Sequence, residues 1–266
     1  MLPKARVVLT ILDCEVLHRT KGLKHSLLKL LWYRLPVKFA SHITVISEET
    51  KRQLLEVVKF PPSRIHVIPV SVSALYQPDP RQFNSQCPRI LQVGTKPNKN
   101  VPRLVQALRG LRCHLDIVGP VDESLRKQLD ESRISWTGWG RLTDEQLVYR
   151  YREADIVAFA STHEGFGMPI VEAQFVERVC ITSNCSSMPE VAGNGACLVD
   201  PFDVDSIRYG ILRLCNDEVY RNALVTAGRR NRLRFNPKTI ADQFAEVYRR
   251  VSDRTRLIET PQNGEG

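Results

Sequence analysis

The chain has 266 residues, 42% of them hydrophobic and 25% charged, long enough to bury one large core or two modest ones. Its 38 Lys and Arg against 29 Asp and Glu leave a net charge of +9, which admits nucleic acid, anionic lipid or phosphorylated small molecules as partners. Seven cysteines without C-x-x-C or metal spacing argue against a disulfide framework and fit reduced thiols in the cytoplasm, and no apolar run is long enough to span a bilayer.

In chain order, Val7 to Leu12 is apolar and β-branched and predicts a buried strand; Asp13 stops the run, so this is no secretion signal. Up to Ile46 the acids are Asp13 and Glu15, against eight Lys or Arg. Leu23, Leu27, Leu31 and Leu35 recur every four residues with Lys24, Lys29 and Arg34 between them, which predicts an amphipathic helix ending near Pro36. The leucine face either packs on a sheet or lies on a membrane surface. His42–Ser47 predicts a strand, Ser47 the cap of a helix through Val57, and Ile65–Val70 another strand.

The stretch 76–88 (Y-Q-P-D-P-R-Q-F-N-S-Q-C-P) has three prolines and little periodicity and reads as a linker. Beyond it, strands are predicted at Ile90–Gly94, His114–Gly119, Ile134–Gly138, Asp155–Ala160, Val179–Ser183 and Ala196–Val199, with helices between them. Asn100 and Thr143 are candidate helix caps, Thr143 with Gln146 as a capping box. Repeated βα units imply a doubly wound parallel sheet, with ligands beyond the carboxyl ends of its strands. A second basic run, Arg229, Arg230, Arg232 and Arg234, lies near the end.

Two turns at strand ends are suited to an anion. V-G-T-K-P-N-K-N places Gly94 for close backbone approach and Lys96 and Lys99 for charge near a helix start. It is not a P-loop, and G-x-G-x-x-G is missing, which argues against a nicotinamide dehydrogenase. S-T-H-E-G-F-G-M-P-I-V-E-A, from Ser161 to Ala173, predicts a turn followed by a helix from Met168 with Pro169 in its first turn. Gly165 and Gly167 leave the helix-start N–H groups uncovered, Glu164 sits just before them and Glu172 about one turn inside. Carboxylates accept hydrogen bonds from vicinal hydroxyls, so the pair suits polyhydroxy groups on either side of a diphosphate. Taken singly, each glutamate would read as a helix-start or solvated surface charge.

H-E-G-F-G-M-P-I-V-E-A resembles the E-x7-E signature of the retaining family 4 glycosyltransferases (glycosyl transferases group 1, GT-B fold). R-I-L-Q-V-G-T-K-P-N-K-N, W-T-G-W-G-R-L-T-D-E-Q-L, A-D-I-V-A-F-A-S and N-C-S-S-M-P-E-V-A-G-N-G-A-C-L-V-D-P resemble successive family blocks. H-I-T-V-I-S-E-E-T-K-R-Q-L and I-H-V-I-P-V-S-V resemble the end of the acceptor domain. The resemblance implies an α/β, GT-B-like fold: a partial N-terminal acceptor-side segment over 1–80, a Rossmann-like donor domain over 86–236, and a C-terminal helix with a disordered tail over 237–266. It implies transfer of a sugar from a nucleotide-sugar to a glycan or glycolipid acceptor with retention, in polysaccharide or glycolipid biosynthesis, without metal or cofactor.

By position, the resemblance gives the ribose hydroxyls to Glu172, the donor sugar and diphosphate to Glu164 with the backbone of Gly165, Phe166 and Gly167, and the leaving diphosphate to Lys99. Gly140 to Leu142 would border the base, with Gly119 facing the same cleft. Gly94, Thr95, Lys96, Arg141, Leu142, His163 and Met168 complete the implied donor-binding set, with Glu164 and Lys99 as the catalytic pair.

Three departures stand out. Val7 aligns well inside the family's acceptor domain, so about half of that domain of roughly 150 residues is expected to be missing. Leu12-Asp13 stands where the family has His-Asp, and Asn98-Lys99-Asn100 where it has Arg-Lys-Asn, with Lys96 a substitute for the lost arginine. The alternative to an active transferase is therefore a half-enzyme subunit that binds nucleotide-sugar and needs a partner chain. Peripheral contact with the inner face of a membrane follows from the basic helix. A nucleic-acid binder ranks last, because Trp32, Tyr33 and Phe39 are the aromatics available for stacking beside the basic patches.

Overall fold

Near-continuous apolar strands joined by helical crossovers can bury both faces only in parallel sheets. The computed structural model describes residues 7–14 and 22–259, which divide into two compact units, one holding the chain up to Ser71 together with Asn236 onward, the other Val72–Phe235.

The first unit has a parallel three-stranded sheet in the order β1 (Val8–Ile11), β2 (His42–Val45), β3 (Ile65–Val67). All four residues of β2 are buried. The crossover from β1 runs through α1 (Gly22–Lys29), a π-helical turn (Leu30–Arg34) and α2 (Leu35–Phe39). The helix therefore does not end at Pro36. The wide turn, with Leu35 N–H bonded to Leu30 O, precedes the proline, and the helix resumes around it to Phe39. The leucine stripe also does not pack on the sheet. Leu23 is 92% exposed, Trp32 64%, and Leu27, Leu31, Leu35 and Phe39 are exposed too, while Tyr33 and Val37 face the core. The wide turn changes the angular phase only of the residues after it, and Leu23 and Leu27, which precede it, face outward as well.

Ser47 caps α3 (Glu48–Val57) by accepting from Thr50 N–H at 3.0 Å. The C-terminal helix (Pro237–Glu259) belongs to this unit, because Ile240, Val247 and Phe244 pack with Ile68 and Val8. The segment from 237 is thus no separate piece. The expected tail over 260–266 lies outside the described residues, as does the Lys24 side chain.

The second unit is a six-stranded parallel sheet in the order β6-β5-β4-β7-β8-β9. Its elements are β4 (Arg89–Val93), α4 (Val101–Leu108), β5 (His114–Val118), α5 (Glu123–Ser132), β6 (Ser135–Gly138), α6 (Asp144–Glu153), β7 (Ile156–Phe159), α7 (Met168–Phe175), β8 (Val179–Ser183), α8 (Met188–Ala192), β9 (Cys197–Val199), α9 (Val204–Asn216) and α10 (Glu218–Asn231). Successive strands run outward from β4 to β6 on one side and from β7 to β9 on the other. The connections reverse direction between β4 and β7, leaving a crevice beyond their carboxyl ends. The expected capping box at Thr143 and Gln146 forms. Asn100 sits at the cap position of α4 but in the left-handed region (φ 59°), and its buried amide instead donates to Ala160 O and Pro201 O at 2.9 and 2.6 Å.

Residues 72–88 form no helix or strand. The boundary falls at Val72 rather than near 80, because Tyr76 is buried edge-on against Tyr151 and Asp79 binds the buried Arg178 guanidinium through its carbonyl and carboxylate. The C-terminal arginine run is largely absorbed structurally. Arg229 and Arg232 pair with Glu177 at 2.6 and 3.2 Å, and Arg234 bonds Glu190 O and Asn231.

Candidate functional site

At the end of β4 the chain turns at Gly94, whose φ of +86° few other residues adopt, and its N–H bonds Val118 O at 2.7 Å. The turn closes through a short 3-10 helix, Pro97–Lys99, before α4. At the end of β5 lies Gly119 (φ +131°), where an added Cβ would stand 3.2 Å from Thr95 Oγ1, so glycine here lets the two turns touch. Gly119 N–H bonds Gly140 O at 3.0 Å, which brings the turn after β6 to the same edge. That turn is anchored from below: the Trp139 indole donates to the buried Asp116 carboxylate at 2.8 Å. Arg141 is exposed and Leu142 half-buried beside it.

Across the crevice, β7 leads into the turn of Ser161 to Gly167. Thr162 N–H bonds Asn98 O at 2.8 Å and Asn98 Nδ2 bonds His163 O at 3.1 Å, so the two strand-end turns are tied together. Lys99 Nζ lies 2.8 Å from Glu164 Oε1, which also accepts from Asn98 Nδ2 at 3.0 Å. The pair is half-buried, with side-chain exposures of 18% and 15%, and the ammonium also lies 4.6 Å above the Phe159 ring. Lys99 and Glu164 are thus drawn together from opposite sides of the switch point. Lys96 is exposed and lines a different cavity, of about 800 Å³, with Thr95, Arg103 and Asp122. It does not join Lys99 at Glu164.

Gly167 (φ +111°) starts α7 with Pro169 in the first turn. Phe166 turns its ring into the core, edge-on to Phe235 at 5.7 Å, and only its backbone is left for the crevice. Met168 is half-buried at the helix start. Glu172, one turn inside, is no solvated charge: Tyr151 Oη donates to its Oε2 at 2.5 Å, and Tyr76 packs edge-on against the Tyr151 ring. Burial pushes the Glu172 carboxyl above its ordinary value, while the two tyrosines and the Lys99 charge pull it back down.

Four contributors escaped the sequence reading. Ser186 Oγ accepts from Glu164 N–H at 3.2 Å and donates to Glu164 O at 2.7 Å, while the Ser187 hydroxyl lies 2.9 and 2.8 Å from Glu164 O and Phe166 O. Tyr151 holds Glu172, and Tyr76 packs against the Tyr151 ring. The serines lie inside a quoted block, N-C-S-S-M-P, and polar residues ahead of a Met-Pro helix start are their one signal; the tyrosines carry none. Among the described residues, no group of three or more His, Cys, Asp or Glu could hold a metal ion, and no helix is long and apolar enough to cross a membrane.

Residues 87–217 match the family model described as glycosyl transferases group 1. The chain is 27% identical over 234 residues to O-antigen chain mannosyltransferase B of Escherichia coli and 29% over 226 residues to the MMP alpha-(1->4)-mannosyltransferase of Mycolicibacterium hassiacum, in each case over 79% of its own length. It spans 61% of the first relative and 54% of the second. Among solved structures it resembles the sucrose-phosphate synthase of Thermosynechococcus elongatus (TM-score 0.75, 21% identity, 90% of this chain and 64% of that one). It also resembles HepE of Anabaena in complex with UDP and glucose (TM-score 0.73, 20% identity, 90% and 70%). The fold is that of the GT-B glycosyltransferases.

Proposed function

We propose, from the premise that the chain belongs through residues 87–217 to the glycosyl transferases group 1, that it binds a nucleotide-sugar in the crevice between β4 and β7 and transfers the sugar to a glycan or glycolipid acceptor. The observation that carries the reading is the Lys99–Glu164 contact across the switch point, where a cation, glycine turns and a helix start meet. In this reading the α7 start and Lys99 hold the diphosphate, Glu164 with the Gly165–Gly167 backbone holds the sugar, and Glu172 accepts from the ribose hydroxyls. The turn from Gly140 to Leu142 borders the base. Gly94, Thr95 and Gly119 let the backbone approach, with Lys96 beside the same turn, and His163 and Met168 flank the sugar.

The chemistry follows from the leaving group. The anomeric C–O bond breaks with its electron pair leaving on the phosphate. The acceptor oxygen forms the new bond on the same face, and its proton passes to the phosphate oxygen. No carboxylate nucleophile is needed. The protein supplies charge where charge develops, and Lys99 is the group placed to do so. No cofactor or metal takes part in this reading. The names of the relatives put mannosyl donors first in a screen and polysaccharide assembly first among processes.

The test is thermal melting with UDP-, GDP- and ADP-sugars, Glu172→Ala as control. Stabilisation of the wild type by one donor, lost in the variant, is the expected result; no shift of a folded sample by any of them removes the reading. In a second reading this chain binds donor but turns over only with a partner chain. Binding without product, restored by a partner, would distinguish it. The protein would work in the cytoplasm with peripheral membrane contact, since the face of α1, the π turn and α2 exposes leucines and Trp32 beside Lys29, Arg34 and Lys38. Neutralising Lys29, Arg34 and Lys38 is expected to reduce sedimentation with anionic vesicles, and failure of the wild type to bind them removes this part.

A further inference from the structure

The Glu172 carboxylate is held in an arrangement that a solvated surface acid never needs. Tyr151, fully buried on α6, places its hydroxyl 2.5 Å from Glu172 Oε2. Tyr76, 5% exposed in the irregular stretch after Ser71, stands edge-on to the Tyr151 ring with centroids 5.5 Å apart, and its phenol feels the charge of the same carboxylate. A side chain with rotatable bonds is thereby fixed by one buried donor that a second segment packs against. A carboxylate offers about four acceptor positions, so one phenol leaves positions open for a further pair of hydroxyl donors.

We propose that Tyr151 and Tyr76 are positioning residues for the donor ribose: the Tyr151 hydroxyl, with the Tyr76 phenol packed beside it, holds the Glu172 carboxylate at the helix start, with its remaining lone pairs presented to a vicinal diol. The idea rests on the donor-site reading above and adds to it the reason Glu172 can work where it sits. Burial alone favours the protonated carboxyl, which would offer a hydroxyl where the diol needs an acceptor. The groups acting on Glu172 are Tyr151 on α6, Tyr76 from the segment after Ser71, Lys99 from the turn after β4, and Asp144 at the start of α6. The first three favour the ionised form; burial and Asp144 oppose it. Burial and the Glu172 charge also push both phenols upward, so they remain donors throughout the working pH range.

The test is donor affinity against pH, by calorimetry with the nucleotide-sugar that stabilises the wild type, for the wild type, Tyr151→Phe, Tyr76→Phe and Glu172→Gln. Each phenylalanine keeps the ring and removes one hydroxyl. Both Phe variants are expected to bind about tenfold more weakly. They should also weaken further as the pH falls, with the acid limb of the profile moved to higher pH, because a carboxylate that loses a stabilising hydroxyl is protonated more readily. A merely structural role would lower the melting temperature without moving that limb, and melting of each variant without ligand is measured alongside. Wild-type affinity and an unmoved limb in both Phe variants, while Glu172→Gln loses binding, would overturn the clamp and leave the donor site standing. If Glu172→Gln binds as the wild type does, the donor-site reading falls and takes the clamp with it.

Discussion

Lys99 and Glu164 neutralise one another at 2.8 Å in a half-buried setting, and that contact governs what each can do for a ligand. In the proposed donor site a diphosphate, which carries more charge than one carboxylate, would draw the ammonium away from Glu164 and leave it free to accept from a sugar hydroxyl. Lys99→Ala should lower kcat/KM by about 10²–10³-fold, the size of a lost charge stabiliser. Steady-state assays with the donor check this, and a loss of only about twofold would place the diphosphate elsewhere. At this scale the sequence made Glu164, Glu172 and Lys99 visible, because they fall in short motifs. Ser186, Ser187, Tyr76 and Tyr151 were invisible. Each acts on its glutamate across a gap of 21 to 96 positions, and nothing local in a tyrosine tells whether its hydroxyl meets a carboxylate.

The start of α7 depends on one backbone angle. Gly167 has φ +111°, and a Cβ there would lie 3.0 Å from Ile170 Cδ1 and 3.4 Å from Phe159 Cε1. Gly167→Ala is therefore expected to cost about 1–3 kcal/mol, from strain at a conformation that L side chains rarely adopt. Denaturant titration measures it, and an unchanged midpoint would mean the turn relaxes. The predicted strands, apart from Ile65–Val70, which ends at Val67, and the Thr143 capping box recur within a residue or two, because apolar β-branched runs and cap chemistry are local causes. Asn100 and the leucine helix did not follow their local signals. Asn100 found two buried carbonyls instead of a helix N–H, and the leucine stripe faces outward both before and after the π turn, while Tyr33 and Val37 take the inward positions.

In the whole molecule each unit has its own core and its own response to conditions. In the first unit His42 and His66 stack with ring centroids 5.2 Å apart and share a hydrogen bond of 3.1 Å between Nδ1 and Nε2. That bond needs one neutral acceptor nitrogen. Burial, with Arg250 and Lys51 nearby, holds the His66 imidazole below its ordinary value of 6.5. The unfolded chain then takes up a proton that the folded one resists, so this contribution is intact above 6.5 and is lost as the pH falls below it. Urea midpoints should drop between neutral and mildly acid pH, and His66→Gln should flatten that drop; an equal drop in the variant would assign it to other groups.

The sequence by itself determined the parallel βα architecture, the two glycine-bearing strand-end turns and their order, because hydrophobic period, glycine freedom and cap chemistry act over a few residues. Only the tertiary structure decided that Lys99 rather than Lys96 meets Glu164, that Glu172 is held by Tyr151, and that residues from Val72 and from Asn236 join the units they do. Those outcomes rest on contacts between segments far apart in the chain, and such contacts are fixed by packing and by the pairing of buried polar groups, for which no short stretch carries a signal.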